Sequence, residues 1–252
     1  MRIGILECGL PPAPLLEEHG SYDTMVRRLL RGGAAEADSR GEAAGDAAGG
    51  GPAGWEVVSF RARDGVLPEA ATACDAYVLT GSPAGVYDPL PWIPPLLEFL
   101  RNARGRAKLV GICFGHQAMA QAFGGEVIQS PRGWGVGLHR YALRERRPWM
   151  GEASDAPAAI AVPASHQDQV VQLPPGARVT VASEFTPFAG LDYGDAISFQ
   201  FHPEFSPAFG TALTALRRDT YPQLADAAIA SYGEADSCER VDGWIRRFLA
   251  AG

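Results

Sequence analysis

Apolar residues along this chain fall into two regimes, and the change between them predicts two kinds of sheet. In the first half, short continuous apolar runs alternate with stretches at helical spacing. Residues 2–7 (Arg-Ile-Gly-Ile-Leu-Glu) are consecutive rather than alternating in their apolar character, as in a parallel strand buried on both faces. Cys8-Gly9-Leu10-Pro11-Pro12 breaks that strand, and Ser21 stands as an N-cap before a helix that ends near Gly32-Gly33. Residues 55–60 and 76–80 read as the second and third strands, 92–104 as a helix opened by prolines, and 108–112 as a fourth strand. The regular strand–helix alternation predicts a doubly wound, parallel α/β sheet.

Beyond the helix that follows residue 113 the pattern changes. Short apolar runs at 126–128, 137–143, 159–164, 177–182, 189–193 and 196–201 have no long helical pattern between them, and a Gly133-Trp134-Gly135 bend interrupts the series. This half is expected to be antiparallel or mixed sheet. From Phe209 onward, Leu213, Leu216, Leu224 and Ile229, then Val241, Trp244, Ile245, Phe248 and Leu249, mark two or three amphipathic helices that cap the fold or supply an oligomer contact. The expected organisation is therefore one α/β domain over 1–209 with a helical extension over 210–252 packed on it. Residues 34–54 are a different material, almost wholly Ala, Gly, Glu and Asp, with too little apolar area to offset the entropy of ordering, and read as a flexible surface insertion.

Composition adds limits rather than detail. A chain of 252 residues can bury a sizeable core without disulfides. The net charge of −7 argues against binding nucleic acid or an anionic membrane, which points to a small-molecule substrate or a protein partner. Cys8, Cys74, Cys113 and Cys238 show no CxxC spacing and no adjacent histidine cluster, so neither a zinc site nor a disulfide framework is signalled, and no cofactor is expected. With no signal-peptide pattern and no bilayer-length apolar run, the expectation is a cytoplasmic protein with reduced thiols.

The chemistry is expected at Gly111-Ile112-Cys113-Phe114-Gly115-His116-Gln117. A buried strand passing through a tight turn into a helix, with glycines on either side of Cys113, has the form of a nucleophile elbow with cysteine in the serine position. The positive end of the following helix favours an anion there. Such a thiol needs a base and a group to orient it. In Phe201-His202-Pro203-Glu204, an apolar strand ends at a histidine and a carboxylate follows two residues later, able to accept from one ring nitrogen. His166, with Asp168 beside it in Ser165-His166-Gln167-Asp168-Gln169, is a rival base, and the polar run after it suits a substrate-facing loop or a surface turn. Gly81-Ser82-Pro83-Ala84-Gly85 follows the third strand, at the edge where open α/β sheets bind ligands.

Together these motifs resemble the class-I glutamine amidotransferase family, whose nucleophile pattern is Gly-x-Cys-x-Gly-x-Gln. The Gly111–Gln117 run, His202-Pro203-Glu204 near the end and Thr80-Gly81-Ser82 before it carry the resemblance, which covers the chain to about Phe209. It implies a flavodoxin-like three-layer sandwich with a central mostly parallel sheet, a smaller antiparallel sheet and C-terminal helices. It also implies a Cys-His-Glu triad that hydrolyses the side-chain amide of glutamine to glutamate and ammonia through a γ-glutamyl thioester. By position, Cys113 is the nucleophile, His202 the base and Glu204 its orienting group. Backbone N–H groups of Gly81, Ser82 and Phe114 match the oxyanion hole, and Gln117, Ser165 and His166 match substrate-binding positions. Gly81-Ser82, where many biosynthetic members have Gly-Gly, resembles the glutaminase part of GMP synthase and also the γ-glutamyl peptidases. The resemblance implies that either a synthase subunit accepts the ammonia or the true substrate is another γ-glutamyl compound; a homo-oligomer contact is expected, if anywhere, from the C-terminal helices.

Overall fold

The computed structural model describes residues 1–32, 54–151 and 156–251; the expected insertion at 34–54 lies outside them except for Gly54. One nine-stranded sheet organises the chain. Its parallel half comprises β1 (Arg2–Leu6), β2 (Glu56–Phe60), β3 (Ala76–Leu79), β4 (Lys108–Ile112) and the late strand β11 (Ala196–Phe199). They lie in the order β2-β1-β3-β4-β11, and every neighbouring pair is parallel. The first four follow the doubly wound order in which the chain reverses direction next to β1. The sheet then continues through β10 (Gly190–Asp192), β9 (Arg178–Ala182), β6 (Gly135–Leu143) and β7 (Ala159–His166), each pairing antiparallel. A separate small antiparallel sheet pairs β5 (Glu126–Gln129) with β8 (Asp168–Gln172).

Helices cover both faces. The alternation along β1 sends Ile3 and Ile5 to one side and Leu6 to the other. On the first side Val78, Val110, Ile112, Ile197 and Phe199 pack against α2 (Tyr22–Arg31) and the C-terminal helix α7 (Cys238–Ala250), through Val26, Leu30, Val241, Trp244 and Phe248. On the second side Tyr77, Leu79 and Leu109 meet α3 (Ile93–Ala103) and α4 (Phe114–Ala122), through Leu96, Phe99, Leu100, Ala118 and Met119. The last helix thus shares its core with the parallel half of the sheet. Ser21 caps α2 as its sequence position predicts, its hydroxyl accepting from the Thr24 N–H. A short α1 (Ala13–His19), with prolines at its start, precedes it; α5 (Pro207–Leu216) and α6 (Ala225–Ser231) pack together before α7. Among the described residues no helix is long and apolar enough to cross a membrane.

Two local outcomes differ from the sequence reading. The polar run after His166 is not a loop: from Asp168 it is strand β8, because β5 offers a free edge and Val170 a buried anchor. The strand before His202 stops earlier than its apolar run, at Phe199. Gln200 then donates to the Ala189 carbonyl and the His202 N–H to that of Pro163 at 2.8 Å, so the chain leaves β4 and is tied to β7.

Candidate active site

Three adjacent strands end at one level, which is what brings the polar groups together. Leu79 of β3 and Ser198 of β11 both pair with Gly111 of β4, so the segments after them emerge side by side at the carboxyl edge. Cys113 sits at the exit of β4 as the N-cap of α4, with φ +51 and ψ −102; it is the only non-glycine residue with positive φ among the described residues. An L-residue held there costs of order 1–3 kcal/mol and persists because its surroundings fix it. The flanking glycines are the reason the turn closes: a Cβ on Gly111 would lie 2.6 Å from the Gly115 backbone, and one on Gly115 would lie 2.6 Å from Leu79 Cβ. Strand and helix cross where no side chain fits.

His202 and Glu204 reach the same place from the end of β11. His202 is buried and its Nδ1 lies 2.8 Å from Glu204 Oε1, whose side chain is fully enclosed. The Phe205 ring stacks on the imidazole at 3.9 Å between centroids and 11° between planes, fixing its orientation. A Cβ at Gly81 would approach His202 Cε1 to 3.1 Å, so glycine lets the ring sit against the chain after β3. Burial alone would depress the His202 pKa; the charges on Cys113 and Glu204 and the hydrogen bonds to both overcome it and hold the imidazole up to about 10.

The remaining expected residues surround a cavity of about 620 Å³ lined by Cys113, Gln117, Ser82, Ser165 and His166 among others. Among the described residues, no acceptor takes the N–H of Gly81, Ser82 or Phe114. For Phe114, the first residue of α4, this follows from helix geometry. Gln117 donates through Nε2 to the Asp168 carbonyl (3.0 Å) and to Gln200 Oε1 (3.2 Å), which leaves its own carbonyl oxygen as the group it can offer a ligand.

His166 differs from His202 in what supports it. Its Nδ1 faces the Asp168 backbone carbonyl at 3.2 Å, while the Asp168 carboxylate is hydrogen-bonded to Tyr87 instead. Burial pushes its pKa down to about 3, leaving a neutral ring whose Nε2 has no partner among the described residues, as the Ser165 hydroxyl has none. His116 is likewise buried and neutral, held by Ser198 Oγ at 2.8 Å beneath the turn.

Sequence reasoning missed Gln200. Wholly buried between Phe199 and Phe201, its Nε2 lies 3.7 Å from Cys113 Sγ and its Oε1 receives Gln117. The available signal was a lone amide inside an aromatic run, which a buried strand tolerates only where a polar partner waits. Trp134 and Arg217, also on the cavity wall, come from distant segments and were not anticipated.

An α/β amidohydrolase is the class to which this combination of sheet edge, strained thiol and carboxylate-backed imidazole belongs. Comparison with known proteins narrows it. The profile of the family described as glutamine amidotransferase class-I matches residues 52–215, and the chain belongs to that family. It is 30% identical to a glutamine amidotransferase-like protein of Schizosaccharomyces pombe over 87% of this chain and 85% of the relative. It is also 30% identical to gamma-glutamyl peptidase 3 of Arabidopsis thaliana, over 60% of this chain and 63% of that one. Identity to the glutamine-hydrolyzing GMP synthase of a Parafrankia species is 38% over 51% of this chain, a region spanning 23% of that enzyme. A crystal structure of a glutamine amidotransferase from Thermotoga maritima superposes with a TM-score of 0.68 at 15% identity, covering 99% of this chain and 98% of the other, and so shares the fold.

Proposed function

We propose that the protein hydrolyses the γ-glutamyl C–N bond of L-glutamine or a related γ-glutamyl compound through Cys113, His202 and Glu204. The convergence of a strained, buried thiol with an imidazole whose Nδ1 lies 2.8 Å from an enclosed carboxylate carries this reading. Cys113 thiolate attacks the γ-carbonyl carbon, forming the C–S bond, while the carbonyl oxygen takes the negative charge. The free N–H groups of Gly81, Ser82 and Phe114 are the donors for that oxyanion, each worth on the order of 3 kcal/mol in the transition state. The C–N bond breaks as His202 passes its proton to the departing nitrogen. Water, deprotonated by the same imidazole, then attacks the thioester, releasing glutamate and restoring the thiol. Glu204 keeps the ring in one tautomer and stabilises its charged form.

Ammonia from glutamine is the product that a synthase partner would consume, a reading supported by the similarity to GMP synthases. All four thiols are free, which suits a reducing compartment such as the cytoplasm. A second reading, a γ-glutamyl peptide as substrate, is supported by the γ-glutamyl peptidase relative and by a cavity of a size that encloses far more than glutamine. Incubating wild type and Cys113→Ala with L-glutamine, γ-glutamyl dipeptides and glutathione, and following ammonia and free glutamate, tests both. Ammonia from glutamine supports the first reading, and glutamate from dipeptides with little ammonia from glutamine supports the second. Equal turnover by Cys113→Ala refutes the mechanism.

A further inference from the structure

The cavity wall carries charge of both signs. Gln117, Tyr87 and the carboxylates of Asp88 and Asp168 line it, Gln117 donating to the Asp168 backbone carbonyl at 3.0 Å. Trp134 and Arg217 line it as well. Arg217 follows directly on α5, half-buried, and among the described residues its guanidinium has no carboxylate partner, whereas its neighbour Arg218 pairs with Asp226 at 2.7 Å. Tyr221 brings the two wall residues together: its ring lies 5.5 Å from that of Trp134 and it feels the Arg217 charge.

Which half of a substrate lies there follows from the chemistry. The departing nitrogen takes its proton from His202, so the leaving group extends on the His202 side of the thiol. Phe205 stacks on His202 and packs edge-on, at 4.5 Å between centroids, against Phe209 of α5, the helix that Arg217 directly follows. The element that backs the imidazole therefore carries Arg217, which puts the arginine on the leaving-group side. The acidic wall around Gln117 suits the ammonium of the γ-glutamyl half. An unpaired, half-buried guanidinium on a cavity wall is a site for a carboxylate, with the indole as an apolar surface beside it. When the leaving group is ammonia, that end has nothing to hold.

We propose that Arg217 binds the carboxylate of an amino-acid or peptide leaving group and, with Trp134, makes γ-glutamyl amino acids and peptides the preferred substrate class over γ-glutamyl amides with uncharged leaving groups. This specificity rests on the acyl-transfer reading of Cys113 and His202. The matched probes are γ-glutamylglycine and γ-glutamyl methylamide, which share the scissile secondary amide and differ by the leaving-group carboxylate. Wild type prefers γ-glutamylglycine in kcat/KM. In Arg217→Gln the ratio of the two kcat/KM values falls by about tenfold or more, mainly through KM, and Arg217→Lys, which keeps the charge without the planar fork, lies between. A thermal melt of each variant separates a specificity change from unfolding. An unchanged ratio overturns the proposal. So does an equal loss on both probes, which would assign the arginine to the α-carboxylate they share. Turnover of glutamine without either probe overturns it while leaving the acyl-transfer reading intact; turnover of none of the three by wild type overturns both.

Discussion

Replacing Glu204 with glutamine removes one charge and almost no volume, so its effect isolates what that charge does. The Glu204 side chain is fully enclosed, its Oε1 lies 2.8 Å from His202 Nδ1, and its Oε2 has no partner among the described residues. The amide of glutamine can keep the first contact through its oxygen and place its NH₂ where Oε2 stood, so the variant is expected to fold. It loses the attraction between a buried carboxylate and the imidazolium. Two unit charges about 4 Å apart interact by roughly 4 kcal/mol at an effective dielectric near 20. With part of that recovered by the neutral hydrogen bond, the transition state loses about 2–4 kcal/mol, or roughly 30- to 1,000-fold in kcat. The pH profile gives an independent reading. Because the His202 pKa is raised in the folded protein from 6.5 to about 10, its imidazolium contributes stability in full below 6.5 and loses it as pH rises toward 10. Removing the Glu204 charge lowers the folded value and narrows that window from its alkaline end. Steady-state kinetics and thermal melts between pH 6 and about 10 should therefore show a large fall in kcat, a smaller change in KM, and an alkaline limb displaced toward neutrality. A kcat within about twofold of wild type, with the limb unmoved, would refute this role for Glu204.

Other consequences follow from single contacts. Gly115→Ala puts a methyl group 2.6 Å from Leu79 Cβ and 2.8 Å from its carbonyl oxygen, so α4 must retreat by about 1 Å. Overpacking of this kind costs about 1–3 kcal/mol, and a 1 Å displacement of the thiol costs about 100-fold in kcat/KM; a melt and an activity assay on the same sample read both. Gln200→Leu removes the bridge between Gln117 and Cys113 and leaves a buried amide with one partner fewer, so stability falls by about 1–3 kcal/mol and KM rises. An unchanged denaturation midpoint would count against that bridge.

The parts of the site legible in the sequence are those built from local constraint. Gly111 and Gly115 flank Cys113 because strand and helix touch there, and Pro203 and Glu204 follow His202 closely enough for a two-residue reach. The doubly wound half was equally legible, since β1, β3 and β4 are buried on both faces and carry unbroken apolar runs. Strand β8 was hidden because Gln167, Asp168 and Gln169 look like a loop, while its edge pairing with β5 depends on tertiary placement. The placement of Trp134 and Arg217 on one cavity wall was hidden for the same reason. Trp134 lies in a bend before β6 and Arg217 follows α5, more than eighty positions apart in the sequence, and only the tertiary fold brings them to the cavity that Cys113 lines.

In the proposed mechanism Cys113 carries the γ-glutamyl group between two half-reactions, and intact-protein mass spectrometry after rapid acid quench tests this most directly. With a γ-glutamyl substrate in excess, wild type should show a fraction of molecules heavier by one glutamyl group. Peptide mapping should put the added mass on Cys113, and His202→Ala, which slows formation and hydrolysis of the thioester, should change the fraction that carries it. Cys113→Ala should show no adduct and no glutamate above background. Glutamate released by Cys113→Ala at the wild-type rate, or an adduct mapped to Cys8, Cys74 or Cys238, would contradict the account.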